Sequence, residues 1–427
     1  MLYSMMELSR AALLPWRAAA NVTRRTLRNP LNPASETLPG RTAAAAADVF
    51  ESLTRHYGKP QWGVSPVDVD GHPVAVDIET VWSKPFGRLL HFKRDRAQLA
   101  KARGMKAREI RDPKVLLVAP MSGHYATLLR GTVEAFLPDA EVYITDWADA
   151  RYVPVLEGRF DLDTYVQYVR EMITAAGPDA HVVAVCQPGP PTLAAIALMA
   201  EDEDPMRPAS MTFMGSPIDA RKSPTVPNTL AEERPYSWFR DNLIYTVPVV
   251  YPGAMRRVYP GFLQLTGFIN MNFERHVDAH HRFFNQLIEG DGDSADRHRQ
   301  FYDEYLSVMD LTEEFYLQTI QDVFQEHKLA RGQMSVNGRL VRPELIKDVA
   351  LLTVEGENDD ISGIGQTQAA HALCSGLPDG LQVDYIQEGV GHYGVFNGRR
   401  FREEIAPLMK RFMADHAGRG SAKPRAA

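Results

Sequence analysis

The sequence predicts an α/β protein whose mostly parallel sheet is covered by helices on both faces. Short apolar runs alternate along the chain with segments in which apolar residues recur at helical spacing, and this alternation is typical of parallel sheets. The alternation stops between about residues 227 and 345, where an aromatic-rich stretch predicts a largely helical cap inserted between two strands. Because ligands of open α/β sheets bind at the carboxyl edge of the strands, we expect the cap to cover the functional site.

Six short, largely apolar runs are predicted to be strands. They lie at residues 115–119, 142–145, 182–185, 211–214, 349–354 and 383–386. The clearest helices are predicted over 163–173, where one face is apolar and Asp161 and Asp163 are candidate caps, and over 192–200, which is apolar on nearly all sides. A last helix, with an apolar stripe from residue 401 to residue 412, is expected to bend near Pro407.

These elements divide the chain into five predicted parts. They are an amphipathic helix and linker (1–45), the first part of the sheet-containing core (46–226), the cap (227–345), the second part of the core (346–416) and a disordered tail (417–427).

Composition sets broad limits on function. The chain has 427 residues, 44% hydrophobic and 24% charged, which is ordinary for a globular protein with one large domain and an insertion. Its net charge of −7 gives no reason to expect a nucleic acid as partner, and we expect no transmembrane segment. Two cysteines, Cys186 and Cys374, do not make a disulfide framework, so we expect a reducing compartment. His276, His280 and His281 lack matching ligand spacing, and we expect no metal and no cofactor.

Residues 2–28 combine apolar side chains with five arginines in a basic amphipathic pattern. One interpretation is an interfacial helix that lies on a lipid or polymer surface. The other is a helix that packs on the body of the protein itself, and the sequence leaves both open.

Cys186 directly follows the predicted strand 182–185 and precedes the helix 192–200. A nucleophile elbow requires a reactive side chain on a sharp strand-to-helix turn, with small residues two places before and after it. Ala184 meets the first requirement, and Pro188 replaces the usual glycine at the second, although proline suits the first turn of a helix. A lone cysteine is more often a small buried hydrophobe, but this position indicates a nucleophile.

A base and an acid follow the last two predicted strands. His392 comes after 383–386, in a loop with glycines on both sides that let the ring approach the nucleophile. Asp359 and Asp360 come after 349–354, and only one of two consecutive side chains is expected to face the imidazole. The chain order Cys, Asp, His is that of the α/β-hydrolase fold, which we therefore predict. A neighbouring imidazole favours the thiolate, the reactive form of cysteine.

Two backbone amides are predicted to stabilise a developing oxyanion. The first is that of Gln187, the residue after the nucleophile. The second is expected from the loop that follows the first predicted strand. Pro120 has no N–H, so Ser122 is the first choice and Met121 the second. His124, in the same loop, either binds substrate or packs.

At these residues the sequence resembles the intracellular poly(3-hydroxybutyrate) depolymerases, which are related to the polyhydroxyalkanoate synthases. The matching segments are residues 119–125, 145–151, 184–188, 214–219, 353–363 and 391–399. The similarity extends over roughly residues 60–415, and its motifs are specific as a set. It implies a triad of Cys186, Asp359 and His392, a cap over the site, and a polyester substrate stored as cytoplasmic granules.

The resemblance leaves three functions to compare. Synthases typically carry glycine two places before and after their cysteine, so Ala184 and Pro188 favour a depolymerase that binds the granule surface. The alternatives are a synthase that uses the same triad and a granule-associated protein without catalysis, against which the complete triad argues. Whether water or a thiol such as CoA accepts the acyl group stays open.

Overall fold

The protein is described by a computed structural model that covers residues 2–271, 283–284, 286–287 and 302–418. Its centre is an eight-stranded sheet. The strands, numbered in chain order, are β1 (Val76–Lys84), β2 (Gly87–Arg94), β3 (Lys114–Val118), β4 (Glu141–Trp147), β5 (Ala180–Val185), β6 (Ser210–Met214), β7 (Ala350–Gly356) and β8 (Gln382–Gln387).

The strands lie in the order β8-β7-β6-β5-β3-β4-β2-β1. Within this sheet β2 runs antiparallel to its neighbours β1 and β4, and the remaining neighbours are parallel. Every residue of β5, β6 and β7 is buried, as expected for strands covered on both faces. This order and direction of strands is that of the α/β-hydrolase fold, which confirms the predicted fold class.

Helices cover the sheet and form much of the cap. Numbered in chain order, they are α1 (Leu2–Leu27), α2 (Leu38–Thr54), α3 (Arg96–Ala102), α4 (Arg130–Phe136), α5 (Leu162–Ala176), α6 (Gly189–Glu201), α7 (Val226–Glu233), α8 (Tyr236–Leu243), α9 (Gly261–Met271), α10 (Glu313–Thr319), α11 (Ala369–Leu373), α12 (Gly398–Arg400) and α13 (Ala406–Asp415). Asp161 caps α5 by accepting a hydrogen bond from the backbone N–H of Thr164 at 2.9 Å. A π-helical turn, Phe401–Ile405, precedes α13, and Pro407 lies in the first turn of α13, where proline is well tolerated.

The chain between β6 and β7 contains α7 to α10 together with short strands. Tyr245–Thr246, Arg257–Tyr259 and Leu311–Thr312 form a small antiparallel sheet. A hairpin of Ser335–Val336 and Arg339–Leu340 follows. His276, His280 and His281 lie outside the described residues, as do 419–427 of the predicted tail.

One face of α1 packs on the rest of the protein. Arg24 and Arg28 both form ion pairs with the buried carboxylate of Asp48 in α2. Tyr3 is fully buried, and its hydroxyl donates a hydrogen bond to Asp310 at 2.5 Å. The opposite face exposes large apolar side chains, namely Leu2, Met5, Leu8, Trp16 and Val22. We call these five side chains the exposed α1 face.

The six predicted strands are confirmed to within two residues at each end, whereas β1 and β2 were not predicted. Apart from Val76, β1 has no buried residue, so it lacks the apolar run that marks a core strand. The predicted linker also extends to residue 45, although α2 begins at Leu38. Pro39 lies in the first turn of this helix, where proline is well tolerated.

None of the helices in the described ranges is both long enough and apolar enough to cross a bilayer. Among those same residues, no group of three or more His, Cys, Asp or Glu side chains is arranged to hold a metal ion.

Candidate active site

Cys186 stands on the sharp turn between β5 and α6. Its φ of +67° lies in the left-handed region that residues with a side chain rarely adopt. Its backbone N–H donates to the carbonyl oxygen of Met214 at 2.8 Å, which fixes the turn against β6. A Cβ atom on Gly189 would lie 2.4 Å from Cβ of Ser216, so the tight approach that requires a glycine falls one residue after Pro188. The structure therefore accommodates proline at the position where glycine is usual.

Asp359 and His392 meet at the carboxyl edge of the sheet. Nδ1 of His392 lies 2.7 Å from Oδ2 of Asp359 and donates to it, since a carboxylate has no proton to offer. Oδ1 of Asp359 accepts hydrogen bonds from the backbone N–H groups of Ile361 at 2.9 Å and Ser362 at 2.8 Å. Cys186 and His392 line the same cavity, and the charge of the Cys186 side chain acts on the imidazole. The structure thus brings the three predicted triad residues together.

The neighbouring aspartate points elsewhere. Asp360 is exposed to solvent, whereas the side chain of Asp359 is fully buried beside the imidazole. Consecutive side chains therefore diverge at this turn, and the first of the two aspartates contacts His392.

Buried charges control the protonation of His392. Burial alone would disfavour the charged imidazolium, but interaction with Cys186 and Asp359, including the hydrogen bond to Asp359, raises the pKa of His392 well above 6.5. Burial also raises the pKa of the second cysteine, Cys374, to about 12, which keeps its thiol protonated near pH 7.

The loop after β3 supplies the candidate oxyanion donors. The backbone N–H of Met121 donates to Oε1 of Gln187 at 3.2 Å, so the second choice of donor is the amide directed at the residue after the nucleophile. Ser122, the first choice, lines a cavity that Met121, Cys186 and His392 also line. The amide of Gln187 follows Cys186 directly at the elbow, where the fold places the first donor.

His124, in the same loop, ties the core to the cap. Its ring is buried, and Nε2 lies 2.9 Å from the carbonyl oxygen of Tyr305. Burial lowers the pKa of His124 to about 4, so the ring is neutral near pH 7. His124 thus packs between loop and cap while it also lines the cavity.

A cavity of about 330 Å³ opens beside Cys186 and His392. Its cap wall includes the stacked rings of Tyr259 and Tyr316, whose centroids are 4.0 Å apart. Most of the other lining side chains are apolar, among them Leu128, Val226, Leu230, Leu311, Phe315, Ile320, Phe324, Ile361 and Phe396. The site therefore suits an apolar acyl chain rather than a charged substrate.

Gly215, directly after β6, is a site residue that the sequence interpretation missed. Its φ is +53°, and a Cβ atom there would lie 3.1 Å from both Oδ2 of Asp359 and Cε1 of His392. A side chain at this position would crowd the acid–base pair. The available signal was a glycine that immediately follows a buried strand at the carboxyl edge.

Comparisons with known proteins agree on a broad relationship. Residues 215–417 match the family model described as "PHB de-polymerase C-terminus". The chain is 22% identical over 301 residues to the "Poly(3-hydroxyalkanoate) polymerase subunit PhaC" of Haloferax mediterranei. That alignment covers 68% of this chain and 56% of the relative, so the chain spans just over half of the relative's length. The chain is thus similar, over part of its length, to a PHB de-polymerase model and to a poly(3-hydroxyalkanoate) polymerase subunit.

Solved structures with similar folds include a putative lipase from Acinetobacter baumannii, with a TM-score of 0.40 and 12% identity over 80% of this chain and 93% of that chain. Another is a putative non-heme bromoperoxidase from Mycobacterium tuberculosis, with a TM-score of 0.42 and 14% identity over 81% of this chain and 97% of that one.

Proposed function

We propose that the protein cleaves the ester bonds of a short-chain polyhydroxyalkanoate, with Cys186 as the nucleophile. The observation that carries this proposal is the hydrogen bond of His392 to Asp359, together with the position of Cys186 and His392 at the wall of the same apolar cavity. A cysteine with only a structural role needs neither a neighbouring imidazole nor an oriented acid behind it.

The chemistry follows from the positions of these groups. The sulfur of Cys186 attacks the ester carbonyl carbon, and the π electron pair moves to the carbonyl oxygen near the backbone amides of Gln187 and Met121. When the tetrahedral species collapses, the C–O bond breaks and His392 donates a proton to the departing alkoxide. Asp359 holds the imidazole in the required tautomer and stabilises its charged form.

The second half of the reaction frees the enzyme. The acyl group is then a thioester on Cys186. Water, activated by His392 as a general base, attacks this thioester and releases a carboxylic acid and the thiol. A thiol such as CoA is the other acyl acceptor that the same steps allow, and it would yield an acyl-CoA instead of the acid.

Contact with a polymer surface is assigned to α1. The exposed α1 face presents five large apolar side chains, and Leu8 and Trp16 are each more than two-thirds exposed. An amphipathic helix of this kind binds an apolar surface through the buried area of such side chains. We propose that the protein lies at the surface of polymer granules in the cytoplasm, which is the location that the resemblance implies.

A synthase is the second candidate, because the relative from Haloferax mediterranei is named as a polymerase subunit. A synthase would load Cys186 from a hydroxyacyl-CoA and pass the acyl group to a growing chain. The match of residues 215–417 to a depolymerase family supports the first candidate. Ala184 and Pro188, which stand where synthases typically carry glycine, support it as well.

One pair of incubations separates the candidates. With amorphous poly(3-hydroxybutyrate), a depolymerase releases 3-hydroxybutyrate or short oligomers, and added CoA increases release only if a thiol is the acceptor. With 3-hydroxybutyryl-CoA, a synthase releases CoA and forms polymer. Binding to polymer without either product would identify a granule-associated protein that lacks catalysis and would overturn the proposal.

A further inference from the structure

A hydrogen bond in the cavity wall joins the loop after β3 to the residue that follows the nucleophile. Oε1 of Gln187 accepts the hydrogen bond of the Met121 N–H at 3.2 Å. Both residues line the cavity that also contains Cys186 and His392. The side-chain oxygen of Gln187 therefore accepts a hydrogen bond from the Met121 backbone in the wall of the cavity that contains the nucleophile.

The other end of the same carboxamide has no partner. Nε2 of Gln187 is buried and forms no hydrogen bond with any described residue. Leaving a buried N–H donor unpaired is unfavourable, and such groups are uncommon in folded proteins. An alkyl side chain at position 187 would leave no donor unpaired. The presence of a carboxamide, with Oε1 at the Met121 N–H, therefore needs a physical reason.

An ester carbonyl has the same hydrogen-bonding chemistry as Oε1 of Gln187. Pro120 offers no N–H, and the carbonyl oxygen of a substrate attacked by Cys186 must lie close to the elbow. At any moment the Met121 N–H can donate to only one of two acceptors, Oε1 of Gln187 or the carbonyl oxygen of the substrate. Binding of the substrate in a reactive position therefore competes with the Gln187 side chain.

We infer that Oε1 of Gln187 occupies the oxyanion site of the resting enzyme and that the substrate carbonyl oxygen displaces it. This inference rests on the proposed function and adds to it a positioning role for the Gln187 side chain. The backbone N–H of Gln187 is unaffected by side-chain replacement, so the effect of the side chain on the site is separable from that of the backbone donor.

A graded set of side chains tests the displacement. Gln187→Leu removes the competing acceptor, whereas Gln187→Glu supplies a charged acceptor that binds the Met121 N–H more strongly and repels an oxyanion. Gln167→Leu, on the exposed face of α5, is the control for a Gln-to-Leu change away from the site. All four full-length proteins are assayed on a soluble ester in the presence of 3-hydroxybutanal.

The aldehyde mimics the acyl group. The Cys186 sulfur adds to its carbonyl carbon, the π pair moves to oxygen, and that oxygen receives the thiol proton through His392, so no co-reactant is needed. We expect the inhibition constant to fall about 2- to 10-fold in Gln187→Leu, to rise at least as much in Gln187→Glu, and to stay unchanged in Gln167→Leu. An unchanged or weaker inhibition of Gln187→Leu would overturn the displacement.

Amide hydrogen exchange gives a readout that does not depend on catalysis. The Met121 amide should exchange faster in Gln187→Leu than in wild type, because it has lost its acceptor, and equal protection would contradict the inference. If the protein cleaves esters but the inhibition constant is the same in wild type and in all variants, only the displacement is overturned. Wild-type protein that neither cleaves esters nor binds the aldehyde overturns the proposed function and this inference with it.

Discussion

Replacement of the acid that orients His392 is the sharpest test of the site, because the chain offers a matched control at the next residue. We expect Asp359→Asn to lower the turnover of a soluble ester by about four orders of magnitude. Asp360→Asn changes the same charge on an exposed side chain and should cost less than a few-fold. Both variants remove one negative charge and keep nearly the same volume.

The magnitude follows from the three hydrogen bonds of Asp359. An asparagine can keep its Oδ1 on the N–H groups of Ile361 and Ser362, so the turn should stay intact. The atom facing Nδ1 of His392 then becomes an NH₂ donor, which favours the tautomer with its proton on Nε2. That tautomer turns an N–H toward Cys186 and cannot accept the thiol proton. A loss of about 10⁴ corresponds to about 5 kcal/mol of transition-state stabilisation.

The assay is the steady-state hydrolysis of a soluble 3-hydroxybutyrate ester, with thermal unfolding of each variant as the check on folding. A large loss of turnover with an unchanged unfolding midpoint supports the acid role of Asp359. If Asp360→Asn were the damaged variant and Asp359→Asn nearly normal, the assignment would be wrong and Asp360 would be the acid. Equal, modest losses would refute the need for an oriented imidazole altogether.

Three further predictions use other parts of the structure. Cys186→Ala should lower ester cleavage by up to about a million-fold, and mass spectrometry after limited iodoacetamide treatment should find label on Cys186 and not on Cys374. Burial lowers the pKa of His181 to about 4, so the unfolded chain binds a proton at this residue first as the pH falls below about 6.5. The contribution of His181 to the free energy of unfolding should therefore fall by at most about 3 kcal/mol by pH 4, and urea titrations of His181→Gln should show a weaker pH dependence than wild type. Leu8→Asp combined with Trp16→Asp should reduce sedimentation with polymer granules far more than it reduces cleavage of a soluble ester, and a proportionate loss of both would contradict surface binding by the exposed α1 face.

The core strands and the positions of the triad residues were predictable because both depend on local signals. Strands β5, β6 and β7 are buried on both faces, so each is a short and largely apolar run in the sequence. Parallel strands bring their carboxyl ends to one edge, so the residues that follow them converge regardless of their distance in sequence. Cys186 and His392 were identified for this reason.

The edge strands and the details of the cavity were not predictable in the same way. Strand β1 is exposed along most of its length, so its hydrogen bonds to β2 define it and not its side chains. The contact of Gln187 with Met121 joins residues 66 positions apart through a side-chain rotamer, which no periodicity encodes. Such contacts depend on how the loop after β3 meets the elbow.

The two interpretations of the N-terminal segment apply to opposite faces of the same helix. Tyr3 is buried among Ala150, Val247 and Val258, and its hydroxyl binds a carboxylate that Arg151 also contacts. Deleting residues 2–28 would therefore remove a buried contact with the cap together with any surface-binding function. An equal loss of granule binding and ester cleavage would not show whether the segment packs on the body or binds the polymer. Substitutions confined to the exposed α1 face leave Tyr3 in place. They test polymer binding without exposing the buried side chains around Tyr3. For that reason they separate surface binding from packing on the body, which the deletion does not.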